Sequence, residues 1–127
     1  ALLAMGATLH IAGAFGERSA DAADLCQPNY ALAEGEILIG IEVAAQRDVR
    51  WSYRRGTSNG GAFLCAVAGT VGSGGTKLFL AGGADHPLPL AGVNEVPLLR
   101  SDALSSGAYR RRLASVLAEE ALSEITA

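Results

Sequence analysis

Along most of this chain apolar and polar positions alternate with the two-residue period of a strand, and the period becomes helical only near the end. Residues 1–5 read as the last turns of a helix, with Gly6 as its stop, because glycine readily takes the left-handed conformation that ends helices. ATLHIAG then alternates as a strand, residues 13–16 turn, and residues 17–19 return as a short partner. Residues 20–25 read as a helical turn and residues 27–30, with Pro28, as loop. The clearest strand is EILIGIEV, residues 36–43, with Ile37, Ile39, Ile41 and Val43 on one face and Leu38 on the other. Residues 48–55 form a second long strand with Val49, Trp51, Tyr53 and Arg55 on one face. Residues 57–61, TSNGG, make a loop, and the continuous apolar character of residues 62–71 predicts a buried strand. GSGG, residues 72–75, is a hairpin turn leading into a returning strand over residues 77–81. Three prolines and no clear period predict irregular structure over residues 82–100. The closing helix lies within residues 105–122, capped by Ser106, with Tyr109, Leu113, Val116 and Leu117 as its apolar stripe. Arg110, Arg111, Arg112, Glu119 and Glu120 are expected to stay solvated.

This order predicts an α+β fold: an antiparallel sheet of three to four strands packed against a C-terminal helix, since each element has one apolar face to bury. A smaller strand-rich part precedes it, and the boundary falls near residues 44–47, giving parts 1–46 and 47–127. A helix seen only at its end predicts that the chain is an excised domain, a truncated product or one half of a split subunit.

With half of its residues hydrophobic and 18% charged, a chain of 127 residues can build one such core. The formal charge of -3 argues against a general nucleic-acid binder, although Arg47, Arg50, Arg54 and Arg55 make one local basic patch. No apolar run approaches the roughly 20 residues that span a bilayer. The opening ALLAMGATLHIAG lacks a basic leader and does not read as a signal peptide. Cys26 and Cys65 have neither metal nor redox spacing, which fits reduced thiols in a cytoplasmic protein.

The chain contains no catalytic or metal-binding constellation. His10 sits in a strand and His86 in a loop, each without a second ligand at metal spacing. No G-x-S-x-G elbow occurs, and the pairs Glu34/Glu36 and Glu119/Glu120 read as solubilising. The glycine-rich stretches at residues 60–61, 72–75 and 82–83 lead into no helix, so they read as turns rather than phosphate cradles.

Taken in order, five segments carry a resemblance. ALLAMGATLHIAGAFGERSADAADL, LAEGEILIGIEV, WSYRRGTSNGGAFLCAVAG, KLFLAGGADHPLPL and SSGAYRRRLASVLAEEAL are similar to successive segments of the FAD-binding (medium) subunit of the molybdenum hydroxylases. That family includes carbon monoxide dehydrogenase and xanthine dehydrogenase. The similarity covers nearly all of this chain but only the back half of the family's subunit. It implies that residues 1–46 end an FAD-binding lobe and that residues 47–127 form the family's C-terminal domain. It also implies a role without catalysis of its own. An FAD held partly by this chain would take electrons from [2Fe-2S] clusters, supplied in turn by a molybdopterin subunit, and pass them to an external acceptor. Leu38 matches a leucine packed on the flavin ring, and Arg55 a lysine near the ring's polar edge, with Tyr53 and Trp51 helping to wall the pocket. The implied partners are an iron–sulfur subunit and a molybdopterin subunit, or a separate N-terminal FAD half; self-association stays open.

The chain departs from the family at several positions. Arg55 replaces the lysine, Ala62 an acidic residue and Ala44 a proline, and a helix is missing between Pro89 and Asp102. The pyrophosphate-binding glycine loops belong to the family's front half. A second reading follows from these departures: an interaction or scaffolding domain that keeps the fold without flavin.

Overall fold

The computed structural model describes residues 1–24, 27, 32–45 and 47–127. The fold is α+β, with seven strands in two antiparallel sheets and one helix among the described residues. β1 (Thr8–Gly13), β2 (Gly16–Asp21) and β3 (Ile37–Glu42) form a three-stranded sheet in the order β2-β1-β3. β4 (Arg50–Thr57), β5 (Phe63–Gly72), β6 (Gly75–Ala81) and β7 (Leu88–Leu90) form a four-stranded sheet in sequence order. α1 (Gly107–Thr126) lies across β4 and β5.

The opening residues do end a helical turn. Gly6 N donates to Leu3 O at 3.1 Å and Ala7 N to Leu2 O at 3.0 Å. With Gly6 at φ 62°, this is the paired bonding that satisfies the last carbonyls of a helix. Thr70 Oγ1 donates to Ala4 O at 3.2 Å, which seats the turn on the four-stranded sheet.

In the smaller sheet Leu9 and Ile11 of β1 are fully buried. The predicted alternation of β3 is broken by a bulge. His10 is opposite Gly40 but Ile11 is opposite Leu38, so Ile39 is the extra residue. Leu38 therefore shares a face with Ile41, Leu9 and Ile11, whereas Ile37 pairs with Ala12 on the other face. Residues 20 and 21, expected in a helical turn, instead complete β2 by pairing with Leu9 and Thr8. The predicted loop at residues 28–30, along with Leu25 and Cys26, lies outside the described residues.

The core of the larger unit is Cys65, Val67, Leu78, Leu80 and Leu90 from the sheet, capped by Ala114, Leu117, Ala118 and Ala121 of α1. The helix is turned about its axis relative to the sequence expectation. Tyr109 and Val116 are 54% and 46% exposed, and the buried face runs through Arg110, Ala114, Leu117, Ala118, Ala121 and Ile125. Small residues govern this choice. At Gly56 an added Cβ would come within 2.6 Å of Leu113, and at Gly69 within 3.2 Å of Ile125, so the helix sits close against glycine, with Leu113 and Leu117 of the expected stripe packed on the core. Ser106 caps the helix as expected, accepting from Tyr109 N at 3.2 Å.

Arg110, expected to be solvated, is 3% exposed. It donates to Arg100 O at 3.1 Å and to both oxygens of Asp102 at 2.7 Å, so its charge enters the core already paired. Asp102 also accepts from the backbone N–H groups of Leu104 and Ser105. These bonds, that to Arg110 foremost, hold its carboxyl below the usual range. The region expected to be irregular contributes one more strand, β7, whose Leu88, Pro89 and Leu90 pair with Leu80, Phe79 and Leu78. Pro89 is tolerated because β7 is the edge of the sheet.

Candidate functional site

The four-stranded sheet has a second face, and a cleft of about 610 Å³ opens on it. The register shows which residues reach this face. Arg55, Ala66 and Ala81 form one cross-strand row, and Tyr53, Ala68 and Phe79 the next. Trp51 is opposite Thr70 on the same side. Because Cys65 and Val67 point into the helical core, the alternation of β5 assigns Ala66 and Ala68 to the cleft. Their methyl groups give it a shallow floor, while Trp51, Tyr53, Phe63 and Phe79 supply aromatic walls and Leu2 and Leu3 of the opening turn close one side.

Phe63 reaches the cleft through a second bulge. Gly56 is opposite Cys65 but Thr57 is opposite Phe63, which makes Leu64 the extra residue. Without it Phe63 would point to the same side as Cys65, toward the helix. Sequence alternation alone therefore could not find Phe63. Phe79, Pro87 and Ala22 also escaped the sequence reading, because their segments carried no chemical signal.

The structure thus brings Trp51 and Tyr53 together in one cleft. Arg55 stands beside them, with its guanidinium carbon 5.8 Å from the centre of the Phe63 ring, an arrangement in which cation and ring face attract. Leu38 stands apart: it lies on β3 in the smaller sheet, partly exposed, and does not line the cleft.

Among the described residues, none of the side chains lining the cleft is charged. The groups with displaced ionisation lie elsewhere and have structural causes. Glu36 is held down to about 2, first by its bonds with Arg18 at 2.7 and 2.8 Å and then by Ala33 N. Burial pushes the Cys65 thiol up. The remaining arginines of the basic patch are largely spent on the helix: Arg50 donates to Ala127 O, and Arg54 pairs with Glu124 at 2.9 Å. His10 joins Glu42 at 3.0 Å and Ser19 at 3.2 Å across the smaller sheet. Among the described residues no group of three or more His, Cys, Asp or Glu could hold a metal ion. Among the described residues no helix is long and apolar enough to cross a membrane.

The cleft has the shape and lining to accommodate a flat, mainly apolar ring system. Its walls supply stacking and water exclusion, and Arg55 supplies one positive charge nearby.

No protein-family model and no curated protein sequence matches the chain. Solved structures do resemble it in fold. A carbon monoxide dehydrogenase from Hydrogenophaga pseudoflava, lacking the Mo-pyranopterin moiety of its molybdenum cofactor, superposes with a TM-score of 0.84 at 17% identity. Quinoline 2-oxidoreductase from Pseudomonas putida 86 gives 0.82 at 20%, and reconstituted CO dehydrogenase from Oligotropha carboxidovorans 0.78 at 21%. In each case the match covers 98% of this chain and 54% of the solved one, so the chain spans about half the length of these neighbours. The likeness is one of fold, shared over nearly all of this chain.

Proposed function

We propose that this chain is the C-terminal portion of an FAD-binding subunit that passes electrons from iron–sulfur clusters to an external acceptor, within a cytoplasmic oxidoreductase of the molybdenum hydroxylase kind. The observation that carries this reading is the uncharged aromatic cleft walled by Trp51 and Tyr53. The likeness in fold to carbon monoxide dehydrogenase and quinoline 2-oxidoreductase chains supports it. In this reading residues 1–46 end an FAD-binding lobe and residues 47–127 form the C-terminal lobe. An iron–sulfur subunit and a molybdopterin subunit would be its partners.

The residues present fit one part of FAD. Trp51, Tyr53 and Phe63 would hold the isoalloxazine ring and keep water from it, with the alanine floor letting a flat group settle on β5. When bound, the flavin supplies a redox store that exchanges electrons between clusters and acceptor. Arg55 would place a cation near the ring's polar edge, where negative charge is to be stabilised. Leu38 does not line the cleft, so its contact would be with a part of the ring that projects out of it. The uncharged lining has no seat for the pyrophosphate, so that group must be held by residues beyond the cleft.

The test is a titration of FAD into the chain, followed by Trp51 fluorescence and flavin absorbance, alone and with a polypeptide supplying the front half of the fold. Binding is expected to be weak alone and strong in the mixture. Tyr53→Ser should then weaken it about fivefold, the loss of roughly 1 kcal/mol of aromatic stacking. Leu38→Asp should also weaken it, by setting a carboxylate against the ring. A chain that stays colourless under both conditions would sink the proposal.

A further inference from the structure

With its buried face turned to the sheet, α1 leaves Tyr109, Arg112, Val116, Glu119 and Ser123 on the side facing away from it, all of them exposed. These five recur at alternating intervals of three and four residues, the spacing by which one helix packs along another. The charges of the helix are ordered against its dipole. Arg110, Arg111 and Arg112 stand near the N-terminus and Glu119, Glu120 and Glu124 toward the C-terminus, with no acid in the first turn and no base in the last. A helix is stabilised by the opposite order, acids at its start and bases at its end. The fold accounts for most of these groups. Arg110 binds Asp102, Arg111 donates to Val96 O, and Glu120 and Glu124 pair with Arg54. Among the described residues Arg112 and Glu119 have no such partner, and both lie on the outer stripe with Val116 between them.

We propose that this face seats a second copy of the chain, its α1 packed antiparallel about a two-fold axis near Val116. The argument is self-complementarity. A two-fold axis brings one patch against itself, so whatever it offers it must also accept. Reversing the stripe sets Arg112 of each helix opposite Glu119 of the other, with Val116 against Val116 and Tyr109 beside Ser123. At 1.5 Å of rise per residue, Val116 is about 6 Å along the axis from Arg112 and about 4.5 Å from Glu119, a mismatch these long side chains absorb. A uniformly acidic or basic partner would satisfy one of the two charges and repel the other. The antiparallel pair also brings the arginines of one helix to the negative end of the other, which offsets the order that each helix alone opposes. A single helix face buries less than a standard interface, so the association is weak and falls with salt. The helix covers the face of the sheet opposite the cleft, so the pair forms without closing the cleft and goes beyond the flavin reading.

The experiment is sedimentation equilibrium of the chain without FAD, from micromolar to near-millimolar concentration, in low and in high salt. A monomer–dimer equilibrium is expected, weakening about tenfold from low to high salt. Arg112→Glu and Glu119→Arg, each alone, should abolish it, because acids then face acids or bases face bases. Mixed, these two variants should form a heterodimer about as tight as the parent pair, since one helix then offers only acids and the other only bases. The double variant Arg112→Glu with Glu119→Arg should recover self-association. Both recoveries separate a lost contact from a lost fold. A chain that stays monomeric at every concentration in low salt overturns the proposal. So does a dimer indifferent to these exchanges, whose contact lies elsewhere, and so does a dimer that dissolves when a polypeptide supplying the front half of the fold is added, since the face then belongs to that polypeptide. With no flavin present, failure here leaves the flavin reading standing, and a chain that takes up no flavin still pairs.

Discussion

Gly107 shows how one atom can fix a helix in place. A Cβ there would lie 1.8 Å from Leu99 O, a distance no rotamer change relieves because the obstacle is backbone. Gly107→Ala should therefore destabilise the fold by about 2 kcal/mol or more, read as a lowered denaturant midpoint, even though alanine is the better helix former. Two carboxyls make a prediction about pH. Glu36 drops from the ordinary 4.5 to about 2, and Asp102 is also lowered. The unfolded chain thus binds more protons than the folded one across that interval. Stability should be undiminished above pH 4.5 and fall as the pH is lowered toward about 2, and Glu36→Gln should flatten the decline. Urea unfolding at pH 6, 4 and 3 checks both. At this scale the sequence was readable where a residue acts locally, as with the Ser106 cap and the Gly6 stop. It was not readable for Arg110, whose partners Arg100 and Asp102 come from a loop with no periodic signal.

Among the elements, the strands follow from alternation and the hairpin from its glycines, but faces depend on register. Two single-residue bulges reassign Leu38 and Phe63, and nothing in a run of apolar residues marks which one is extra. The helix gives the same lesson in rotation. Of the expected stripe Leu113 and Leu117 do pack on the core, whereas Tyr109 and Val116 stay exposed and the buried stripe runs on through Ala114, Ala118 and Ala121. Ile125 is fully buried near the C-terminal end of that stripe. Ile125→Ala should cost about 3 kcal/mol through lost burial and the cavity left behind, whereas Val116→Ala on the exposed face should fall within about 0.5 kcal/mol. Thermal unfolding of the two variants, both shortened to the same residue type, separates the observed rotation from the expected one.

At the scale of the whole molecule, the α+β class and the sheet under a closing helix were visible in the order of elements, while the cleft was not. It is assembled from the opening turn and three strands that are distant in sequence, and only their three-dimensional juxtaposition makes it. The helix side of the same sheet holds Cys65, free and fully buried, with burial raising its thiol pKa. In native protein this thiol should resist a disulfide reagent at pH 8, and it should react at the rate of global opening once denaturant is added. A ligand in the cleft should slow that reaction without touching the thiol. β5 thus faces two ways, Cys65 and Val67 toward the helix and Ala66 and Ala68 toward the cleft. Neighbouring letters of one short strand therefore answer to separate selective pressures. Across descendants of this chain, positions 65 and 67 should drift only within a constant volume. Positions 66 and 68 should change in step with whatever the cleft receives, so that enlarging either alanine would be the shortest mutational path to a lineage that keeps its architecture and gives up its ligand.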